Sequence, residues 1–287
     1  MGVTIRQLAL VALGDSTTVG IGDPVPSLGW RGWSRLLADE LAKTHRLAYT
    51  NLSAAGATAT SVRETQLPLA TALRPELASV VVGVNDTMRS TWDPARVYDD
   101  IVTCVGDLAR GGALVMTMRF HDHGAVFGLP AVLRRPLWRR IEVVNDAYDA
   151  AYAAHGGIRI DLTSDPSVHE RAFWSIDRLH PSELGHRRLA EAFAVALQGH
   201  GYPLACPVRQ GSMAPRRSEE WWWLVSRGAP WIGRRANDLA PWAVRMLANE
   251  AARRAARRPR LAPFHDAGLV RTHRTADTPP HAMSASP

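Results

Sequence analysis

The sequence predicts an α/β fold of three layers, α/β/α, built on about five parallel strands and followed by a C-terminal helical extension. Three observations carry this. Short, continuous apolar runs recur between residues 5 and 162, longer amphipathic stretches separate them, and the alternation stops near Gly199. Strands buried on both faces read as continuous apolar runs, and strands alternating with helices mark βαβ units in a parallel sheet.

In chain order the expected strands are Ile5–Leu13, Leu47–Leu52, Leu77–Val84, Ala113–Met118 and Ile158–Leu162. Expected helices lie between them at Trp33–Lys43, Ser61–Leu73, Pro94–Arg110 and Leu133–Ala154. A last one, Ser182–Leu197, opens on Ser182 and Glu183. In such sheets reactive groups gather at the carboxyl ends of the strands. No internal repeat is visible. Residues 200–218 read as a connection rich in Pro, Gly and polar residues. A helix is expected from about Asn237 to Arg258 with Pro241 in its first turn, and residues 259–287 lack periodicity and read as a disordered tail.

With 46% hydrophobic and 21% charged residues in 287, the chain can bury one sizeable core and carry an additional segment. Two cysteines, Cys104 and Cys206, are too few for a disulfide framework and lack metal-ligand spacing. The first apolar run is a strand rather than a signal segment, and no run approaches the ~18 residues of a membrane span. A cytoplasmic location is the expectation. Residues 1–208 hold 20 basic and 21 acidic side chains, and residues 209–287 hold 14 and 6, so the net charge of +7 sits in the last quarter. Lys43 is the only lysine, which points to a compositional preference for arginine but does not explain the clustering.

Chemistry concentrates in four segments. Leu13-Gly14-Asp15-Ser16-Thr17-Thr18 follows the first strand, and Asp177-Arg178-Leu179-His180 lies far downstream. A serine needs a base to take its proton and a partner to orient that base. An aspartate three residues before a histidine can turn its carboxylate back onto the imidazole and stabilise the imidazolium. The bland reading makes Ser16 a helix cap and His180 a loop histidine beside the Ser182 cap. Asp15 is expected to bond neighbouring backbone amides, and His186 to be packed within its helix. Between these ends lie Asn51-Leu52-Ser53-Ala54-Ala55-Gly56 and Gly83-Val84-Asn85-Asp86. Gly56 permits close backbone approach, though a plain turn glycine is a fair competitor. Asn85, after Val80-Val81-Val82, can donate to a developing alkoxide, and Asp86 is expected to shape its loop.

Together the four segments resemble the SGNH (GDSL) hydrolase family, whose four signature residues would here be Ser16, Gly56, Asn85 and His180. The resemblance spans residues 5 to about 198 and implies a flavodoxin-like hydrolase domain over 1–199. It implies Ser16, Asp177 and His180 as catalytic residues, and an oxyanion hole of the Ser16 and Gly56 backbone amides with the Asn85 side chain. It implies no metal or organic cofactor. Thr17 stands where the family name has leucine, which bears on substrate choice. The implied activity is a serine esterase or lipase acting through an acyl-enzyme. An acyltransferase or a carbohydrate or natural-product deacetylase on the same site is the alternative. A non-catalytic flavodoxin-like binding module is the second alternative; against it, the chain has no Walker-type loop and no Gly-x-Gly-x-x-Gly after the first strand.

Two features stay open. Arg119-Phe120-His121-Asp122-His123 ends the fourth strand; its His-Asp-His invites a metal reading, but loop spacing favours solvent-exposed or substrate-facing side chains. Arg119, Arg89 or His121 could touch the substrate. The segment 200–258 holds Trp221-Trp222-Trp223, Trp231 and Trp242 among arginines, with Leu239, Trp242, Ala243, Met246, Leu247 and Glu250 at helical period. The favoured reading packs this stripe on the core or on a second subunit as a homodimer. Peripheral contact with anionic lipid is sharper, and tilts the substrate toward a lipid or other apolar acyl ester. Nucleic acid is not expected.

Overall fold

The computed structural model describes residues 7–26 and 29–207, with nine helical positions between 241 and 253. Five strands, β1 (Gln7–Gly14), β2 (Arg46–Asn51), β3 (Leu77–Val81), β4 (Leu114–Arg119) and β5 (Ile158–Asp161), form one parallel sheet in the order β2-β1-β3-β4-β5. This is the flavodoxin-like strand order, in which the chain reverses direction across the sheet between β1 and β3 and opens a crevice at their carboxyl ends. Gly14, the last residue of β1, pairs in register with Val81, the last of β3.

The principal helices are α1 (Gly32–Leu41), α2 (Leu67–Ala72), α3 (Pro94–Arg110), α4 (Ala131–His155) and α5 (Glu183–Gly199). Helices α1 and α5 pack together on one face of the sheet, with Trp33 stacked on Phe193 at 4.6 Å, and α3 packs with α2 and α4 on the other. The expected helix Ser61–Leu73 is interrupted. Ala59–Ser61 is one helical turn, Val62–Gln66 is wound as a π-helix, and α2 follows. Three single turns, Ser16–Val19, Val84–Thr87 and His123–Val126, and a two-residue ladder pairing Pro24–Val25 with Gly29–Trp30 were not foreseen.

Each strand bearing on the crevice leaves backbone groups that its neighbours cannot pair, and a buried peptide group without a partner is costly. Three buried side chains take them up by bonding both ways. Gln66 accepts from Gly14 N–H (2.8 Å) and donates to its carbonyl (3.0 Å) at the end of β1. The Tyr148 hydroxyl accepts from Val82 N–H and donates to its carbonyl, both at 2.9 Å, after β3. Asn145 does the same for Phe120 after β4, at 2.7 and 2.9 Å. The π-helical winding delivers Gln66 to its position.

Leu204 joins the hydrophobic core beyond α5. In the expected C-terminal helix, Leu247 of the apolar stripe is 43% exposed and Arg245 donates to the Ser90 carbonyl at 2.7 Å. The Trp221–Trp223 cluster, Trp231, Trp242 and the tail 259–287 lie outside the described residues. Among the described residues no helix is long and apolar enough to cross a membrane.

Candidate active site

Ser16 sits two residues beyond the end of β1, where Gly14 makes the approach possible. At φ +150° a side chain at position 14 would put its Cβ 2.3 Å from the Val81 carbonyl oxygen. Asp15 caps the turn that Ser16 opens, accepting from Thr17 N–H at 3.0 Å. The Ser16 N–H, first in that turn, has no intrahelical acceptor.

His180 reaches Ser16 from the loop between β5 and α5. Its Nε2 lies 2.9 Å from Ser16 Oγ and its Nδ1 lies 2.7 Å from Asp177 Oδ2. The turn that folds Asp177 back requires Arg178 in the left-handed region, at φ +55°. The other carboxylate oxygen, Oδ1, accepts from the Ser175 hydroxyl (2.6 Å) and from the N–H groups of Leu179 (2.9 Å) and His180 (3.0 Å). Burial alone would raise the Asp177 carboxyl, but the hydrogen bond and charge of His180, with the backbone and Ser175 donors, hold it at about 2. The Nδ1–carboxylate contact assigns the proton of a neutral His180 to Nδ1, which leaves Nε2 as the acceptor facing Ser16.

Asn85 lies in the single turn after β3. Its Nδ2 donates to the Ala57 carbonyl at 3.1 Å and reaches Asp15 Oδ2 at 3.4 Å, so it stands between the Gly56 loop and the Ser16 turn. Gly56 has φ +79°, in the region that favours glycine. Asp86 is buried and faces Ala59 N–H with both carboxylate oxygens (3.1 and 3.3 Å). Burial raises Asp86 to about 7 and Asp15 to about 6, only partly offset by the Ala59 and Thr17 amides respectively. All five sequence-derived positions, Ser16, Gly56, Asn85, Asp177 and His180, thus come to the carboxyl edge of the sheet. Ser16, Asp177 and His180 form one hydrogen-bonded chain.

His186 is fully buried in α5. Its Nδ1 accepts from Trp33 N–H at 3.2 Å and its Nε2 donates to the Ile21 carbonyl at 3.0 Å, and burial lowers it to about 4. It ties α1 and the loop after Ser16 to α5.

The loop histidines need correction. His121 and His123 are neither exposed nor substrate-facing. They are 2% and 5% exposed, with their rings stacked at 4.1 Å beneath Trp174. The aromatic surroundings exclude water, so burial holds His123 at about 4 and His121 well below its ordinary value. Asp122 turns away to cap Ala125 and pair with Arg134. Among the described residues no group of three His, Cys, Asp or Glu could hold a metal ion. Arg119 is engaged with Asp149 and Asp161. Of the three residues left open for substrate contact, Arg89 remains: its Nη2 donates to the Gly56 carbonyl at 3.2 Å and it lines a cleft beside Asn85. Sequence reasoning missed Gln66, Tyr148 and Asn145, whose only signal was a polar group on the buried side of a helix.

Comparison with known proteins agrees with this architecture. Residues 12–188 match the model of the GDSL-like lipase/acylhydrolase family. A lipase/acylhydrolase from Enterococcus faecalis superposes with a TM-score of 0.53 at 20% identity, covering 72% of this chain and 100% of its own. The psychrotrophic esterase EstA from Pseudoalteromonas sp., in a structure inhibited by monoethylphosphonate, gives 0.53 at 15% identity, covering 68% and 99%. A catalytic mutant of Axe2, an acetylxylan esterase from Geobacillus stearothermophilus, gives 0.54 at 17%, covering 68% and 96%. No curated protein matches the chain significantly.

Proposed function

The chain belongs to the GDSL-like lipase/acylhydrolase family, and from that premise we propose a serine esterase in which Ser16 forms an acyl-enzyme intermediate. The observation that carries the proposal is the unbroken chain Ser16 Oγ–His180 Nε2 (2.9 Å) and His180 Nδ1–Asp177 (2.7 Å). Ser16 Oγ attacks the ester carbonyl carbon while His180 takes its proton, and Asp177 stabilises the imidazolium. The carbonyl oxygen becomes an oxyanion held by the Ser16 and Gly56 N–H groups and by Asn85 Nδ2, whose long contact to Asp15 (3.4 Å) is the one it gives up. His180 returns the proton to the leaving alcohol. Water, deprotonated by His180, then releases the acid and restores Ser16. Metal and organic cofactors take no part in these steps.

The expectation of an apolar acyl group rests on the tryptophan-rich segment, which lies outside the described residues. The cleft beside Asn85 is polar instead. Hydrolysis of p-nitrophenyl acetate, butyrate and palmitate by the wild type and Ser16→Ala tests the reading. Turnover that disappears in the variant supports it, and turnover that survives overturns it.

A further inference from the structure

The single turn Val84–Thr87, which carries Asn85, is too short to pair all its carbonyls with its own N–H groups. The Val84, Asn85 and Asp86 carbonyls accept from the Thr87 hydroxyl and from the N–H groups of Met88 and Arg89. Those of Thr87, Arg89 and Ser90 are met from outside the turn. Arg140 of α4 donates from Nη1 to the Thr87 carbonyl at 2.9 Å and to the Arg89 carbonyl at 3.0 Å. Arg245 of the C-terminal helix donates from Nη1 to the Ser90 carbonyl at 2.7 Å. Basic side chains are fitting partners for the last carbonyls of a helical turn.

We propose that Arg140 and Arg245 are positioning residues: together they cap the turn that carries Asn85 and hold both loop-borne oxyanion donors in place, which makes the C-terminal helix part of the catalytic unit. The proposal rests on the serine-esterase reading. The turn grips the Gly56 loop at three points. Asn85 Nδ2 donates to the Ala57 carbonyl at 3.1 Å, Arg89 Nη2 donates to the Gly56 carbonyl at 3.2 Å, and Asp86 faces Ala59 N–H with both carboxylate oxygens. A shift of the turn therefore moves the Asn85 side chain and the Gly56 N–H together. Helix α4 is a firm support for it. Asn145 and Tyr148 of the same helix bond the segments after β4 and β3, and a Cβ at Gly83, where the turn begins, would lie 2.7 Å from Val144 Cγ1. Arg140 is committed to this task. Its guanidinium carbon lies 5.2 Å from the Trp92 ring centroid, and among the described residues no carboxylate pairs with it. Burial and the charge of Arg245 lower it to about 10, which leaves it charged at neutral pH. The two carbonyls and the ring, rather than a counter-ion, offset the half-burial of that charge.

The test measures kcat and KM on p-nitrophenyl acetate for the wild type, Arg140→Met, Arg245→Ala and Asn85→Ala, and for each arginine variant combined with Asn85→Ala. A misplacement of about 1 Å costs on the order of a hundredfold, so Arg140→Met is expected to lower kcat by about tenfold to a hundredfold. KM should stay within about twofold of the wild type, because the loss falls on the transition state. Arg245→Ala removes one exposed hydrogen bond and is expected to lower kcat by about fivefold. A merely structural role would make each loss independent of Asn85. Action through that donor requires the loss to shrink once the donor is gone, so each double variant should fall short of the product of its single losses by at least about threefold. Losses that multiply, losses confined to KM, or an unaltered kcat in Arg245→Ala overturn the cap. If Arg140→Met does not fold, the exposed Arg245 decides the matter through its own cycle with Asn85→Ala. If the losses multiply while Ser16 still takes an organophosphonate adduct, the cap falls and the serine mechanism stands. If the wild type hydrolyses no ester and no adduct forms, the esterase reading falls and the cap with it.

Discussion

On the His180 side of Ser16, Asp177 receives a hydrogen bond from His180 Nδ1, one from Ser175 and two from backbone N–H groups, and is held at about 2. On the Asn85 side, Asp15 and Asp86 are buried among fewer donors and lie raised at about 6 and about 7. The two arms hold carboxyls for opposite purposes. One keeps a permanent negative charge where a positive imidazolium must form. The other disfavours negative charge at the corner where the substrate's own oxyanion must form. Each arrangement follows from the number of donors within reach, since burial alone pushes all three carboxyls the same way.

The comparison is sharpened most by removing its two ends. Ser16→Ala or His180→Ala lowers kcat on the order of a million-fold, read on any ester the wild type turns over. Asp177→Asn, which leaves the shape but loses the charge and fixes the wrong imidazole tautomer, costs about four orders of magnitude in kcat. On the other arm Asn85→Ala removes a single donor and costs about a hundredfold to a thousandfold, in kcat rather than KM. Should Asn85→Ala exceed Asp177→Asn, the division of labour between the arms is wrong.

Stability against pH separates the arms by sign. The Asp177 carboxyl lies lower folded (about 2) than its ordinary 3.8, so its stabilisation is complete above pH ~4 and is lost as pH falls toward about 2. Asp86 lies higher folded (about 7), so its burial costs nothing at pH 3 and the cost grows as pH rises from about 4 through 7. Thermal melts of Asp86→Asn are therefore expected to gain on the wild type between pH 5 and pH 8, whereas those of Asp177→Asn lose on it as pH rises from about 2 to 4 and run parallel to it above that. Parallel slopes in the two variants contradict the assignment. The smallest effect expected on chemistry is that of Gln66→Leu. It strands the N–H and carbonyl of Gly14 at a cost of roughly 1–3 kcal/mol each, seen as a lowered Tm.

Much of this was legible in the chain, and for identifiable reasons. The helix Pro94–Arg110 has the bounds expected of it, and the five strands shift by no more than three residues at either end, because long amphipathic and short apolar segments carry their period in their own residues. The positions that meet around Ser16 were legible because each directly follows a strand or lies within a short local turn. What was not legible depends on distant partners. Gln66 meets Gly14 across 52 positions and Tyr148 meets Val82 across 66, and in sequence both are merely polar or aromatic residues in helices. His121 and His123 carry ordinary loop signals, and the packing of distant Trp174 over them, with Phe120 and Phe127 beside His123, buries them. The single turns after β1, β3 and β4 are too short for a period to show.

The central claim is that Ser16 is an activated nucleophile. The most direct measurement is reaction of the full chain with a fluorophosphonate, followed by intact-mass and peptide mass spectrometry. In that reaction Ser16 Oγ bonds to phosphorus, fluoride leaves and His180 takes the proton. The account predicts a single adduct on the peptide containing Ser16 and none in Ser16→Ala. A folded wild type that takes no adduct, or an adduct that persists in the variant, contradicts it.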